Sequence, residues 1–352
     1  MPSRLKLVAL AAALALPGLA AAQTVTPLGS TPQTVIRGEI NNTRTPVLRV
    51  KSGQTVRIDT VSHAGATEEA VSFFGGAGIA PDGVLKDVID IGKMPRPEGF
   101  GGHVLTGPIY VEGAEPGDLL EVKIIEVKPR VPYGVNTPGP GGVAPTLVKE
   151  RTPKIIKFDL ARKVALFAPG VEVPLKPFMG IMAVAPDPAT TGGKVGSKAP
   201  GRFGGNMDVN RLTDGSTLYL PVMNPGALFY TGDSHAVQGD GEVDGTAIEA
   251  SMTATLQFVL HKGAGTPLAF PVAEDKDNFY IMGMNEDLDL ALKSAVEQTV
   301  AFLQRRAKLS ASDAYSLASV GIDFSIGEAV DVNLLVYGIV PKKLFKTPVS
   351  VN

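Results

Sequence analysis

Between Gly232 and Glu249 the chain reads GDSHAVQGDGEVDGTAIE, so the carboxylates Asp233, Asp240, Glu242 and Glu249 stand beside His235 and Gln238 among repeated glycines. Carboxylate mixed with imidazole suits a borderline cation such as zinc, whereas carboxylates alone suit calcium. A hydrolase uses the same mixture, with an activated water beside a spare carboxylate. The glycines predict a tight loop from which Asp233 and His235 converge, rather than one face of a regular strand. The ordinary alternative is a solvated Gly/Asp-rich turn. Against it, the loop runs straight into a very regular strand.

That strand is expected over Thr246 to Leu260. Ile248, Ala250, Met252, Ala254, Leu256, Phe258 and Leu260 form its apolar face, and Glu249, Ser251, Thr253, Thr255 and Gln257 its polar face. Glu249 therefore projects from the polar face at the end nearest the acidic loop. The chain has four histidines, His63, His103, His235 and His261. His261 precedes a Lys-Gly turn and reads as surface. His103 follows Gly101-Gly102 at a strand entry, so it and His235 are the two histidines placed like ligands. No G-x-S-x-G elbow is present, and no Lys-Ser/Thr follows the glycines as a phosphate loop requires.

The elements that must position these groups read as mainly β, with a smaller α+β part. Glycine (40) and proline (28) punctuate short apolar runs, and Thr55 to Val61 and Leu119 to Val127 alternate with period 2. A sandwich- or barrel-like N-terminal lobe over 23–185 is expected, followed by a lobe over 186–352 carrying the acidic loop and two late helices. Residues 129–154 and 186–205 are Pro/Gly-rich and read as irregular, either lids over a site or plain excursions. Asn285 is the expected cap of the first helix, whose buried stripe would be Leu288, Leu292, Ala295, Val296, Thr299 and Leu303. Ser310 opens the second, with Asp313 in the capping-box position.

Composition narrows the classes further. Arg4 and Lys6, the apolar run Leu7 to Leu16 and Ala20-Ala21-Ala22 read as an export signal over 1–22, giving a periplasmic or secreted protein with no later membrane span. Removing those two positive charges takes the formal charge from −2 to −4. No basic run offers nucleic acid a surface. No cysteine is present, which excludes disulfides, a thiol nucleophile and a thiolate zinc site. Without tryptophan, stacking on a sugar has little support.

The chain resembles the acetamidase/formamidase family. The residues that carry the resemblance are Gly232-Asp233-Ser234-His235, Gln238-Gly239-Asp240-Gly241-Glu242 and Ala247-Ile248-Glu249. His103 to Pro108, Gly113 to Asp118, Gly204-Gly205-Asn206-Met207-Asp208, and Pro177 to Gly180 with Ala185-Pro186 follow the same pattern. In order, these cover nearly everything from Thr31 onward. The resemblance implies hydrolysis of the C–N bond of a small linear amide to carboxylate and ammonia, by a metal-dependent, often oligomeric, β-rich enzyme. It implies His103, Asp233 and His235 as metal ligands, with Glu249 a further candidate, for zinc or, as the alternative, calcium. Asp240 or Glu242 would be the acid/base, and Asn206 and Gln238 would orient the amide or its oxyanion.

Two departures bear on the site. Where the family carries an acid before a Gly-rich turn, this chain has Thr60-Val61-Ser62-His63-Ala64-Gly65, losing a carboxylate at Ser62 and gaining His63. Asp244 lies where a cysteine often follows the G-D-G-E run. The rival readings are a hydrolase of a cyclic amide or other C–N substrate, and an exported metal-binding β-protein without catalysis.

Overall fold

The structure, a computed structural model, describes residues 25–96, 98 and 101–351. The export signal expected over 1–22 lies outside the described residues. Among these, strands dominate and two long helices come late, Leu288–Arg306 and Ala311–Gly321. Two large sheets organise the chain, one of nine strands and one of eleven, and each draws strands from both sides of residue 185.

The Phe229–Val237 strand is the centre of the eleven-stranded sheet. Phe178–Ala183 pairs along one edge of it, and Val104–Val111 and Ile248–Glu249 along the other, all antiparallel. In the nine-stranded sheet Met252–His261 lies between Thr55–Asp59 and Leu119–Pro129. Apolar side chains from both sheets form one contiguous core, including Ile58, Val122, Leu256 and Phe258 from one and Leu105, Met179, Ile181 and Phe229 from the other. Phe229 and Phe258 meet edge to face at 5.0 Å between ring centroids and so link the two layers.

Several expectations shift in detail. The single strand expected over Thr246 to Leu260 is two, because Ile248–Glu249 belongs to the eleven-stranded sheet and Met252–His261 to the nine-stranded one. The apolar alternation holds across the break, with Ile248, Ala250, Met252, Ala254, Leu256 and Phe258 all buried. A period of two is read equally from a strand that stays in one sheet and from one that changes sheet. The stretch 129–154 contains a regular strand after all, Tyr133–Asn136, which pairs with Ile248–Glu249 and Lys154–Asp159.

The first late helix is capped by Asp287, whose carboxylate accepts from the Leu290 N–H. Asn285 instead accepts from the Asp287 N–H, one step upstream. Its buried stripe is Ala291, Ala295, Thr299, Phe302 and Leu303, while Leu292 is exposed. The helix is rotated from the expected face because small residues let it lie close on the sheet. A side chain at Gly283 would strike the Ala295 backbone at 2.1 Å. Ser310 caps the second helix through the Asp313 N–H, as expected.

Phe258→Ala should cost about 3–5 kcal/mol of folding stability, the usual scale for emptying a buried aromatic site. Urea unfolding of the variant and the parent checks this. A loss below about 1 kcal/mol would mean that the layers are not held together at this contact.

Candidate active site

Gly232 to Val237 do not form a loop, as the glycines suggested, but the second half of a buried central strand. Asp233 and His235, two residues apart, project to one side of it, so convergence comes from strand periodicity after all. The strand is locally bent, since Asp233 has φ +49°, in the left-handed region. Asp208 (φ +46°) and Glu242 (φ +44°) share that strained conformation. Three acids of one cluster are thus held by their surroundings in backbone states that cost on the order of 1–3 kcal/mol each.

Around Asp233 the structure gathers three histidines. His103 Nε2 and His235 Nε2 each lie 3.6 Å from Asp233 Oδ2, and His63 Nδ1 lies 3.1 Å from Asp233 Oδ1. His103 enters from the start of the neighbouring Val104–Val111 strand, and its Nδ1 is held by the Ser197 hydroxyl at 2.9 Å. Glu249 arrives because its Cα pairs with that of His235 across the sheet, which puts Oε2 3.3 Å from His235 Nε2. Its other oxygen accepts from the Ala247 N–H.

A second group adjoins the first. Asp208, Glu242 and Asp331 offer oxygens within 4.8 Å of one another, and Asp208 and Glu242 also reach the His235 neighbourhood. Asp331 comes from a distant segment. Hydrogen bonds from the Gly241 N–H to Gly327 O and from the Ala329 N–H to Gly241 O bring that segment alongside the acidic loop. Beneath both groups passes Gly180, where a Cβ would lie 2.3 Å from Asp208 Oδ1 and 3.0 Å from His235 Cε1. Only glycine lets the Phe178–Ala183 strand run this close.

Three expected site residues, and one histidine expected on the surface, take other places. Asp240 is not in the cluster, because its carboxylate is bound by Arg211, Asn210, Tyr337 and Ser325. Gln238 is a support for His235. Its Oε1 accepts from His235 Nδ1 at 2.9 Å, which fixes the tautomer, and its Nε2 donates to the Asp208 and Gly327 carbonyls. Asn206 donates to Asp331 and leaves its Oδ1 buried without a partner. His261, expected on the surface, is partly buried against Glu121, with Nε2 2.6 Å from Oε2.

The sequence reading gave no site role to Asp208, Asp331 or Glu328, and it marked His63 only as a departure. Asp208 was legible as the last residue of the G-G-N-M-D run. Nothing local in the sequence marks Asp331 or Glu328.

Burial would raise the Asp233 carboxyl, but His103, His235 and His63 together hold it well below its usual range. Burial likewise opposes charge on His235, yet Glu249 and Asp233 raise it well above the usual imidazole value. Burial lowers His103, and Asp233 offsets this only in part. In the second group burial and mutual repulsion push Asp208 and Glu242 well up, Asp331 up to about 7 and Glu328 up to about 8.

His235 Nε2, Glu249 Oε2 and both oxygens of Asp208 are buried and make no hydrogen bond. Orphaned donors and acceptors of this kind are costly unless something else satisfies them. Nitrogen and oxygen ligands converging in this way fit a divalent cation.

The fold is that of a known class of β-rich protein. The model of the Acetamidase/Formamidase family matches residues 45–193 and 189–347, and the chain belongs to that family. It is 28% identical over 275 residues to a putative formamidase of Schizosaccharomyces pombe, a match spanning 62% of each chain. The chain thus spans about three fifths of that curated relative's length. Two crystal structures are similar over nearly the whole chain. One is an acetamidase from Bacillus halodurans (TM-score 0.74, 27% identity, 91% of this chain and 98% of that one). The other is an acetamidase from Yersinia enterocolitica (TM-score 0.75, 28% identity, 93% and 94%).

Carboxyls raised on folding bind more protons folded than unfolded, so their contribution to stability falls as pH rises through the shifted values. The raised imidazoles His63 and His235 act in the same direction. The depressed Asp233 loses its contribution only in acid. Chelator-stripped protein should therefore lose thermal stability as pH goes from about 5 to about 8, the window set by Asp331 and Glu328. Scanning calorimetry at constant ionic strength checks this, and a flat or rising profile would contradict it.

Proposed function

We propose that this chain hydrolyses the C–N bond of a small amide, producing a carboxylate and ammonia. The observation that carries this reading is the convergence of His103 Nε2 and His235 Nε2 on one oxygen of Asp233, 3.6 Å from each, with Glu249 alongside. Membership of the acetamidase/formamidase family supports the reaction class. His103, Asp233 and His235 would hold a divalent cation of the zinc class, with Glu249 and His63 at its margin. When bound, such an ion lowers the pKa of a coordinated water and polarises a carbonyl.

The chain's own groups then manage protons and orientation. Glu249, whose Oε2 lies 3.3 Å from His235 Nε2, would take a proton as the water oxygen bonds to the amide carbon. It returns that proton to the nitrogen as the C–N bond breaks, so ammonia leaves and the carboxylate remains. Gln238 keeps His235 in one tautomer through Nδ1 and leaves Nε2 for the centre. The Ser197 hydroxyl holds His103 through Nδ1 and leaves its Nε2 toward the centre. Asp240 supports the loop through Arg211 rather than touching the reacting atoms.

A cleft of about 250 Å³ opens beside Glu242 and Gln238, with Phe167, Val173, Val237 and Ile248 among its walls. The signal expected over 1–22 would place the reaction outside the cytoplasm.

Ammonia release from formamide, acetamide, propionamide and a γ-lactam tests the reading. His235→Ala and Asp233→Ala should abolish release while leaving the circular dichroism spectrum unchanged. Glu249→Gln should lower kcat by about 10²–10⁴-fold, the range for losing a general acid–base group. Chelation should abolish release and added zinc restore it. Full activity in either alanine variant would remove these residues from the mechanism.

A further inference from the structure

We infer that Asp208, Glu242 and Asp331, together with the amide oxygen of Asn206, form a second cation site beside the histidine-bearing one. Its ligands are all oxygen, so it takes a hard divalent cation of the calcium class. The three carboxylates offer oxygens within 4.8 Å of one another. Crowded acids alone would not establish a site. Asn206 supplies an independent pointer, because its Nδ2 donates to Asp331 while its Oδ1 is buried with no donor. A buried amide oxygen with no donor, on the residue that binds Asp331, is left for a further group to satisfy, and a cation held by the neighbouring carboxylates does so.

Three further features agree. Asp208 is 1% exposed, and neither of its carboxylate oxygens has a hydrogen-bond partner. Gly180 carries no side chain where a Cβ would lie 2.3 Å from Asp208 Oδ1, so that oxygen is not covered from this strand. Imidazole is kept out of this group: His235 Nδ1, 3.7 Å from Asp208 Oδ1, is already bound by Gln238, and Nε2 faces Asp233 and Glu249. Asp331 is only partly buried, which leaves a way in from solvent. Glu328 backs the site rather than entering it, since its Oε2 accepts from the Val330 and Asp331 N–H groups and so fixes the Asp331 turn.

The inference concerns occupancy and stands whether or not the chain cleaves amides. The test is titration of chelator-stripped full-length protein with Ca²⁺ and with Zn²⁺, separately and together, by calorimetry with metal analysis of the dialysed product. The expected result is one Ca²⁺ and one Zn²⁺ held at the same time. Asp331→Asn should weaken Ca²⁺ binding at least tenfold and leave Zn²⁺ in place, and His103→Ala should do the reverse. Calcium without zinc would support this site and remove the cation from the proposed mechanism. Several results would overturn the site: no Ca²⁺ taken up by the parent protein, Ca²⁺ and Zn²⁺ displacing one another one for one, or Ca²⁺ binding unchanged in Asp331→Asn. If that variant does not fold, the parent titration decides alone, and saturation at one cation per chain overturns the inference.

Discussion

Asp233 Oδ2 faces the Nε2 atoms of His103 and His235 at 3.6 Å, with Asp233 and His235 buried and His103 partly open to solvent. Much of the surrounding structure follows from placing a charged acid there. Two neighbouring strands must deliver the imidazoles, so Val104–Val111 is paired to Phe229–Val237 with Gly232 opposite Leu105. A third strand must deliver Glu249 opposite His235, so the chain crosses from one sheet to the other just after Glu249. The strand on the other flank must pass without a side chain, which Gly180 provides.

A core so laden with acids is costly to fold. Unpaired buried carboxylates are normally neutralised by a proton, a basic partner or a cation. In the histidine-bearing half the imidazoles take that part, and Asp233 stays ionised. In the half around Asp208, Glu242 and Asp331 no basic side chain among the described residues is a hydrogen-bonding partner, and the carboxyls hold their protons to unusually high pH. The two halves touch at His235, so occupancy of one electrostatically conditions the other. The left-handed backbone at Asp208, Asp233 and Glu242 shows the same compromise, local strain held in place by two packed sheets.

The sequence disclosed the parts of this arrangement that have a local signature. Period-2 alternation marked the strands, including Thr55–Asp59 and Leu119–Pro129, and Ser310 with Asp313 marked the second late helix. The GDSHAVQGDGE run marked the acids and His235. Glycine-rich composition, however, suggested a loop where the chain makes a central strand, because Gly232 serves there to let the strands close up: a Cβ would lie 2.2 Å from Val104 O. Asp240 was indistinguishable from Glu242 by sequence, and only the tertiary placement of Arg211 and Tyr337 separates them. Asp331 and Glu328 join the site through a backbone bridge between Gly241 and Glu328, 87 residues apart in number, and no local pattern encodes such a meeting.

The central claim is that the buried side chains of the Phe229–Val237 strand and its neighbours are a cation-dependent centre. Anomalous diffraction from crystals of protein purified without chelators, collected above and below the absorption edge of its bound metal, tests this most directly. The account predicts a peak bounded by His103 Nε2, His235 Nε2 and Asp233. Catalytically active crystals with no peak there, and with those three side chains hydrogen-bonded directly to one another, would contradict it.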